Sequence, residues 1–284
     1  MAIHVARRIW TTLEPIHDVV YFGAGIKEAG VEIGLRGFWQ TYFAFRAAPL
    51  GAVTAGAVTA TFAGFHPDMV GRALPDAWSR TSPSRCLEAR SAAATRLLRA
   101  SGARDEECAR AVELLLPALR GADPTGRPLF AANAELSLGQ DAVAALWQVA
   151  TALREHRGDG HVAALVGAGV SGAHALVLQV AAGKVTEPVL RTARGWSAPE
   201  WAALVGDLTG SGLVTGEPSA PELTADGVAL LERVEAVTDE SAWRGALSRL
   251  SEEAVAELTA VLEPLVRAVR TSVVPANNPV GMGQ

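Results

Sequence analysis

The stretch Arg194-Gly-Trp196-Ser-Ala-Pro-Glu200-Trp201-Ala-Ala-Leu-Val-Gly-Asp207-Leu208-Thr-Gly-Ser-Gly212-Leu213-Val214 decides how the rest of the chain is read. Ser197-Ala-Pro-Glu200 is a helix start, with Ser at the cap, Pro in the first turn and Glu three residues after the cap. Apolar residues at helical spacing carry that helix over 197–211. Gly212-Leu213-Val214 and the segment leading to Glu222-Leu223 are two short extended pieces around a Gly/Pro/Ser tip, which predicts a hairpin. Thr224 then caps a long helix over 225–237. Two shorter helices are expected before the decisive one, over 172–181 and 187–194. The order is helix, helix, hairpin.

Outward from that stretch, strand signals are scarce. Helical segments are expected over 5–21, 34–48, from a cap at Thr54 to 65, over 67–74, from an opening at Ser82-Pro83-Ser84 to 98, and over 105–119. Ser251 to Arg270 is strongly amphipathic. One long helix is expected over 140–157, broken by Gly158 and Gly160, with Asp159 capping a further helix over 161–169. The Gly- and Pro-rich segment 121–133 lacks periodicity and reads as the domain boundary. The expected division is an N-terminal helical domain over 1–120, a linker over 121–137, a C-terminal domain over 138–272 and a tail over 273–284. A weak internal repeat links Gly34-Leu-Arg-Gly37 to Gly169-Val-Ser-Gly172, 135 positions apart.

Composition bounds the function. The chain has 284 residues, 49% apolar and 19% charged, enough for a sizeable core. Its net charge of −5 argues against a protein living on bulk attraction to nucleic acid or an anionic membrane. Two cysteines, Cys86 and Cys108, support neither a disulfide framework nor a Cys-based zinc site. Residues 1–10 lack the apolar run of a signal peptide, and no window reaches about 18 uninterrupted apolar residues. A cytoplasmic protein is expected.

Helix, helix and small hairpin is the winged-helix order. The second half resembles the MarR-like winged-helix regulators in Arg194-Gly-Trp196-Ser-Ala-Pro-Glu200-Trp201, Leu208-Thr-Gly-Ser-Gly212-Leu213-Val214, Leu223-Thr-Ala-Asp-Gly227 and Glu235-Ala-Val-Thr-Asp239. The whole chain is similar to a family of actinobacterial tandem helix-turn-helix proteins. That match rests on Tyr42-Phe-Ala-Phe-Arg46-Ala-Ala-Pro-Leu-Gly51, Phe65-His-Pro67 and Leu153-Arg-Glu-His-Arg-Gly-Asp-Gly-His161. The resemblance implies a mainly α-helical fold of two tandem winged-helix-like halves, packed as an intrachain pseudo-dimer, with a hairpin wing in the second half. It also implies a small-molecule pocket where the halves meet, since MarR-like dimers bind ligands near their dimerisation helices.

The charge pattern separates fold from DNA reading. A winged helix lays its recognition helix in the major groove and draws affinity from Lys and Arg on phosphates. Residues 195–232 hold no Lys or Arg and six acidic residues: Glu200, Asp207, Glu217, Glu222, Asp226 and Glu232. Residues 47–71 also lack Lys and Arg. Nucleic acid is not the expected partner.

Three polar islands stand out. In Leu153–His161, Arg154 and Arg157 share a helix face and can grip a carboxylate or phosphate, while His156 or His161 can act as acid or base. The same residues equally make a capped helix end with internal ion pairs. His156, Asp159 and His161 offer the donor types of a metal site, and a haem ligand is compatible with either His, though no motif for metal or haem is present. Arg46, in an aromatic and Ala-rich surround, needs an anionic partner, from the protein or from a ligand. His17 and Tyr21 lie one turn apart and, with Trp39 and Tyr42, line a pocket or fill a core. Cys86 and Cys108 read as ordinary thiols on amphipathic helices.

No nucleophile elbow, phosphate loop, dinucleotide fingerprint or His-Glu-x-x-His is present. The expectation is a small-molecule-binding protein, with enzymatic activity left open, on a winged-helix frame that no longer reads DNA. Its pocket is expected to be lined by His17, Tyr21, Trp39, Tyr42, Arg46, Arg154 and Arg157, with His156 or His161 for acid/base work. The alternatives are a ligand-responsive MarR-like regulator and a protein-interaction module without a ligand.

Overall fold

A computed structural model describes residues 2–275, 278 and 279, with side chains from residue 4. Fourteen α-helices and one hairpin make up the described residues. In order, the helices are α1 (Ala2–Phe22), α2 (Ile26–Glu32), α3 (Gly37–Ala47), α4 (Ala55–Phe62), α5 (Pro67–Arg80), α6 (Pro83–Ala100) and α7 (Asp105–Arg120). Then come α8 (Pro128–Ala134), α9 (Ala142–Gly167), α10 (Gly172–Ala181), α11 (Glu187–Arg194) and α12 (Ala198–Gly210). The hairpin β1 (Val214–Glu217) and β2 (Ala220–Leu223) precedes α13 (Ala225–Gly245) and α14 (Glu252–Ser272). The antiparallel register pairs Val214 with Leu223 and Glu217 with Ala220. No single helix among the described residues is long and apolar enough to cross a membrane.

The side chains expected as caps sit where helices start. Thr54 accepts from Ala57 N–H, Ser82 from Arg85 N–H and Thr224 from Gly227 N–H. Ser197 and Glu200 form a reciprocal capping box at α12. Pro75 did not end α5, which continues to Arg80.

The central helix corrects the sequence reading most. α9 runs unbroken from Ala142 to Gly167, straight through Gly158 and Gly160. A helical glycine costs about 1 kcal/mol relative to Ala, and packing offsets it here. The Arg127 guanidinium lies so close to Gly160 that a Cβ would collide with it, and Arg127 Nη1 donates to the His156 carbonyl. Asp159 therefore caps no following helix. Its carboxylate instead receives the Leu129 and Phe130 N–H groups at 3.0 and 2.9 Å, so it caps α8 from a distant segment. The segment expected as a linker thus holds a helix with Leu129, Phe130 and Asn133 buried. It was missed because seven residues behind a Gly/Pro run show too little periodicity.

The hydrophobic cores do not divide at 121–137. The larger core joins α1 to α9 with the end of α13 and α14, from Ala6 to Val274. The smaller one joins the end of α9, α10 to α12, the hairpin and the start of α13, around Trp201, Leu190 and Leu178. α9 and α13 pass through both.

The α4–α5 turn packs on the α11–α12 turn. His66 N–H donates to the Arg194 carbonyl at 2.8 Å, and the Trp196 indole N–H donates to the Gly64 carbonyl at 2.8 Å. Gly172 sits so tightly there that a Cβ would lie 2.4 Å from the Gly64 nitrogen. Gly172→Ala is expected to cost roughly 1–2 kcal/mol by overpacking against rigid backbone, read by denaturant unfolding; an unchanged midpoint would show that this contact yields freely.

Candidate functional site

Six helices, α1, α3, α9, α10, α11 and α13, line a cavity of about 480 Å³ between the two cores. That volume lies in the range of ligand and cofactor pockets, roughly 300–1,000 Å³. From α1 come Arg7, Trp10, Glu14 and Tyr21, a stripe at helical spacing; α3 adds Tyr42 and Arg46. α9 supplies Arg154, Arg157, Gly158 and His161, and Lys184, Arg194, Glu235 and Pro279 close the remaining sides.

The cations are held in place by buried carboxylates. Glu155, on α9 and 2% exposed, accepts from Arg46 Nε and Nη2, both at 3.3 Å, and from Arg154 Nη1 at 2.9 Å. Arg154 Nε also meets both oxygens of Glu14 at 3.2 Å. Arg157 Nη2 pairs with Asp239 at 2.9 Å and Glu235 at 3.0 Å, and Arg7 reaches the same two carboxylates. Arg157 lies over the Trp10 ring at 4.3 Å, and Arg46 over the Phe62 ring at 4.2 Å. Burial works against the Glu155 charge, but the Arg46 and Arg154 guanidiniums outweigh it and hold the carboxyl down to about 2.

Arg194 differs from these arginines. It forms no ion pair with a carboxylate among the described residues; its Nη2 donates to the Pro279 carbonyl at 3.2 Å, and its guanidinium lies 4.3 Å over the Phe65 ring. Its Nε is buried without a partner. Burial works against its charge, and the Tyr42 hydroxyl supports it. Lys184, on the rim, also makes no ion pair within 4 Å among the described residues. Six cations line the cavity and four carboxylates pair with them, which leaves a positive excess toward the space.

Behind the α3 side, His17 bridges Thr151 Oγ1 at 3.1 Å and the Tyr21 hydroxyl at 2.8 Å. Burial, with Arg154 nearby, pushes the His17 imidazole well below its usual range, so the ring is neutral. Asp18, one turn from Glu14 and fully buried, has no hydrogen-bond partner on either oxygen. Burial and the Glu14 charge push its carboxyl well above the usual range.

The residues singled out from the sequence fall into three groups. Tyr21, Tyr42, Arg46, Arg154, Arg157 and His161 line the cavity. His17 stands behind Tyr21 and lines a small adjoining void. Trp39 and His156 are elsewhere. Trp39 packs against Phe38, Tyr42, Phe43 and Phe65 as part of the core. The His156 ring meets Phe130 edge-on at 4.9 Å and abuts Gly245, and burial pushes it down to about 3. On an unbroken helix His156 and Asp159 share a face but His161 lies about 140° around the axis from His156, and among the described residues no three His, Cys, Asp or Glu side chains are grouped to hold a metal ion. Cys86 and Cys108 are buried free thiols, pushed up to about 11 by burial.

Arg7, Trp10, Glu14, Lys184, Arg194 and Glu235 were missed. For the first three a signal existed, since counting back from Tyr21 by three or four residues reaches 17, 14, 10 and 7. Nothing local marked Lys184 or Arg194.

Bundled helices, two tight helix-turn-helix corners and a short hairpin define a helix-turn-helix protein with a polar cavity between its cores. Residues 6–275 match a helix-turn-helix family, and the chain belongs to that family. No curated protein and no solved structure matches it.

Proposed function

We propose that the chain is a small-molecule-binding protein built as a tandem, MarR-like winged-helix pseudo-dimer, with an organic anion bound between its halves. The observation that carries this reading is the cation-lined cavity in which Arg194 faces no carboxylate among the described residues. A half-buried guanidinium whose Nε has no partner and which faces no carboxylate is costly, and a ligand acid would supply the missing partner.

The packing supports two halves. The proposed equivalences are α1 with α9, α3 with α10, α4 with α11, α5 with α12, α6 with α13 and α7 with α14. Under them α1 packs on its counterpart α9, and α7 on its counterpart α14. The contact of α1 with α14 is matched by that of α9 with α7, and α1 with α13 by α9 with α6. Left-handed glycines recur at Gly34 and Gly169, and at Gly64 and Gly195.

The same packing argues against half-site reading. Recognition helices contact bases with their N-terminal residues, and half-sites lie about 34 Å apart. Here the N-terminal ends of α5 and α12 are tied together, with His66 Nε2 3.0 Å from Glu200 Oε1. Membership of a helix-turn-helix family favours the alternative of a ligand-responsive regulator, and a gel shift separates the two readings.

The test is ligand-dependent stabilisation with a panel of organic carboxylates, phosphate esters and their neutral analogues. A bound anion at 100 times its Kd should add about 2.7 kcal/mol to stability. Arg194→Ala should weaken that binding roughly 10- to 100-fold, as for a lost charge-assisted hydrogen bond, and leave neutral compounds without effect. Arg154 is a poor probe, because its loss takes the ion-pair partner from buried Glu14 and one of two partners from Glu155. Duplex DNA should not be retarded at low salt. A sequence-dependent shift would favour the regulator, and an unresponsive protein with a protein partner would favour an interaction module.

A further inference from the structure

His161 is placed differently from the other buried histidines. It lines the cavity from α9, and its side chain is 27% exposed. Its Nδ1 lies 3.0 Å from Thr238 Oγ1. That hydroxyl has one hydrogen, which it donates to the Val234 carbonyl at 2.7 Å. The Thr238 oxygen can therefore only accept, so Nδ1 carries a proton, and in the neutral ring Nε2 carries the lone pair. Among the described residues Nε2 has no partner.

We propose that His161 is the general base of the cavity, taking a proton through Nε2 from an O–H or N–H of a bound organic anion whose acid group sits on Arg194. This rests on the ligand-binding reading above and adds a chemical role to it. In the step, the ligand's X–H bond breaks, its electron pair stays on X, and the proton joins Nε2. The imidazolium keeps its Nδ1–H on Thr238, and Glu235 Oε1, 4.0 Å from Nδ1, balances the new charge. Arg157 and Lys184 also line the cavity.

The groups around the ring agree with a neutral resting state. Burial, Arg157 and Arg154 on α9 and Lys184 beyond α10 push the imidazole below its usual range, opposed by Glu235 on α13. The Thr238 hydrogen bond fixes which nitrogen carries the proton once the ring is neutral.

Two measurements on the intact protein decide it. Nitrogen-15 correlation spectra of labelled histidine at pH 7 should show His161 neutral with the proton on Nδ1. Thr238→Val should shift it toward the Nε2–H form preferred by free imidazole. A His161 found cationic, or protonated on Nε2, in the wild type overturns the proposal whether or not any ligand binds. The second probe is 4-hydroxy-3-nitrobenzoate, a carboxylate with a chromogenic phenol. Bound to wild type, its phenol should ionise at lower pH than when bound to His161→Phe. Equal phenolate spectra in the two complexes overturn the base assignment and leave the cavity reading intact. Failure of this probe and of the whole anion panel to bind overturns the cavity reading instead.

Discussion

Glu155→Gln should lower the thermal midpoint on the order of 10 °C, at roughly 2–4 °C per kcal/mol for a chain of this size class. The substitution keeps the shape and removes one charge. Glu155 is 2% exposed and stands between the guanidiniums of Arg46 and Arg154. Removing one member of a buried ion pair costs about 3–5 kcal/mol, because the partner's charge stays behind without compensation. Here Arg46 stays behind with no other carboxylate among the described residues and Arg154 keeps only Glu14, and the new amide group would point a donor at donors. The pH dependence follows from the carboxyl being held down to about 2, against an ordinary value of 4.5. The native state ionises more readily than the unfolded chain, so the stability from Glu155 is fully present above about 4.5 and lost as pH falls toward 2. Urea unfolding of Glu155→Gln at neutral pH, with Arg46→Met and the double variant, completes the measurement. The double variant should recover part of the loss, since it removes one stranded cation. A loss below about 1 kcal/mol would place the network among weakly coupled surface pairs.

Local rules reached much of this fold. Ser82, Ser197 and Thr224 are caps whose chemistry is written in the next three residues, and each starts a helix as read. The hairpin was legible because Gly, Pro and Ser crowd its tip. The reading failed where a distant segment set the local outcome. Gly158 and Gly160 look like breakers alone, yet α9 continues, and at Gly160 Arg127 fills the space a side chain would take. Asp159 looked like a local cap and is the cap of α8, 30 positions earlier at Leu129.

The site divides the same way. Arg46, Arg154, Arg157 and His161 stood out because charge is scarce and they lie in apolar or Gly-broken surrounds. His156 stood out for the same reason and belongs to the core. An intact α9 separates His156 from His161 by five positions, about 140° around the axis at 3.6 residues per turn. Arg194 was quoted only as part of a helix-turn-helix signature. Its isolation from carboxylates follows from the meeting of α11, the α4–α5 turn and Pro279, which no local pattern encodes.

Asp18→Val is expected to act in the opposite direction and stabilise the protein by about 1–3 kcal/mol at neutral pH, the penalty of a buried group without hydrogen bonds. Both Asp18 oxygens are buried and unpartnered, and the residue is fully inaccessible. Valine removes that penalty, since it buries no polar atom. The pH dependence gives the sharper test. Burial and Glu14 push the Asp18 carboxyl well above its ordinary 3.8, so the native state keeps a proton that the unfolded chain releases above that pH. Wild-type stability therefore falls as pH rises through the window between the two values, and the valine variant lacks this loss. The gap between them should be smallest below pH 3.8 and widen toward neutrality. Denaturant midpoints at pH 3.5, 5 and 7 measure it. A variant less stable than wild type, or a gap independent of pH, would mean that Asp18 is satisfied in solution. A widening gap would place a protonated carboxyl one helical turn from Glu14, beneath the charged wall of the cavity, where ionising it requires either solvent entry or a rearranged Arg154.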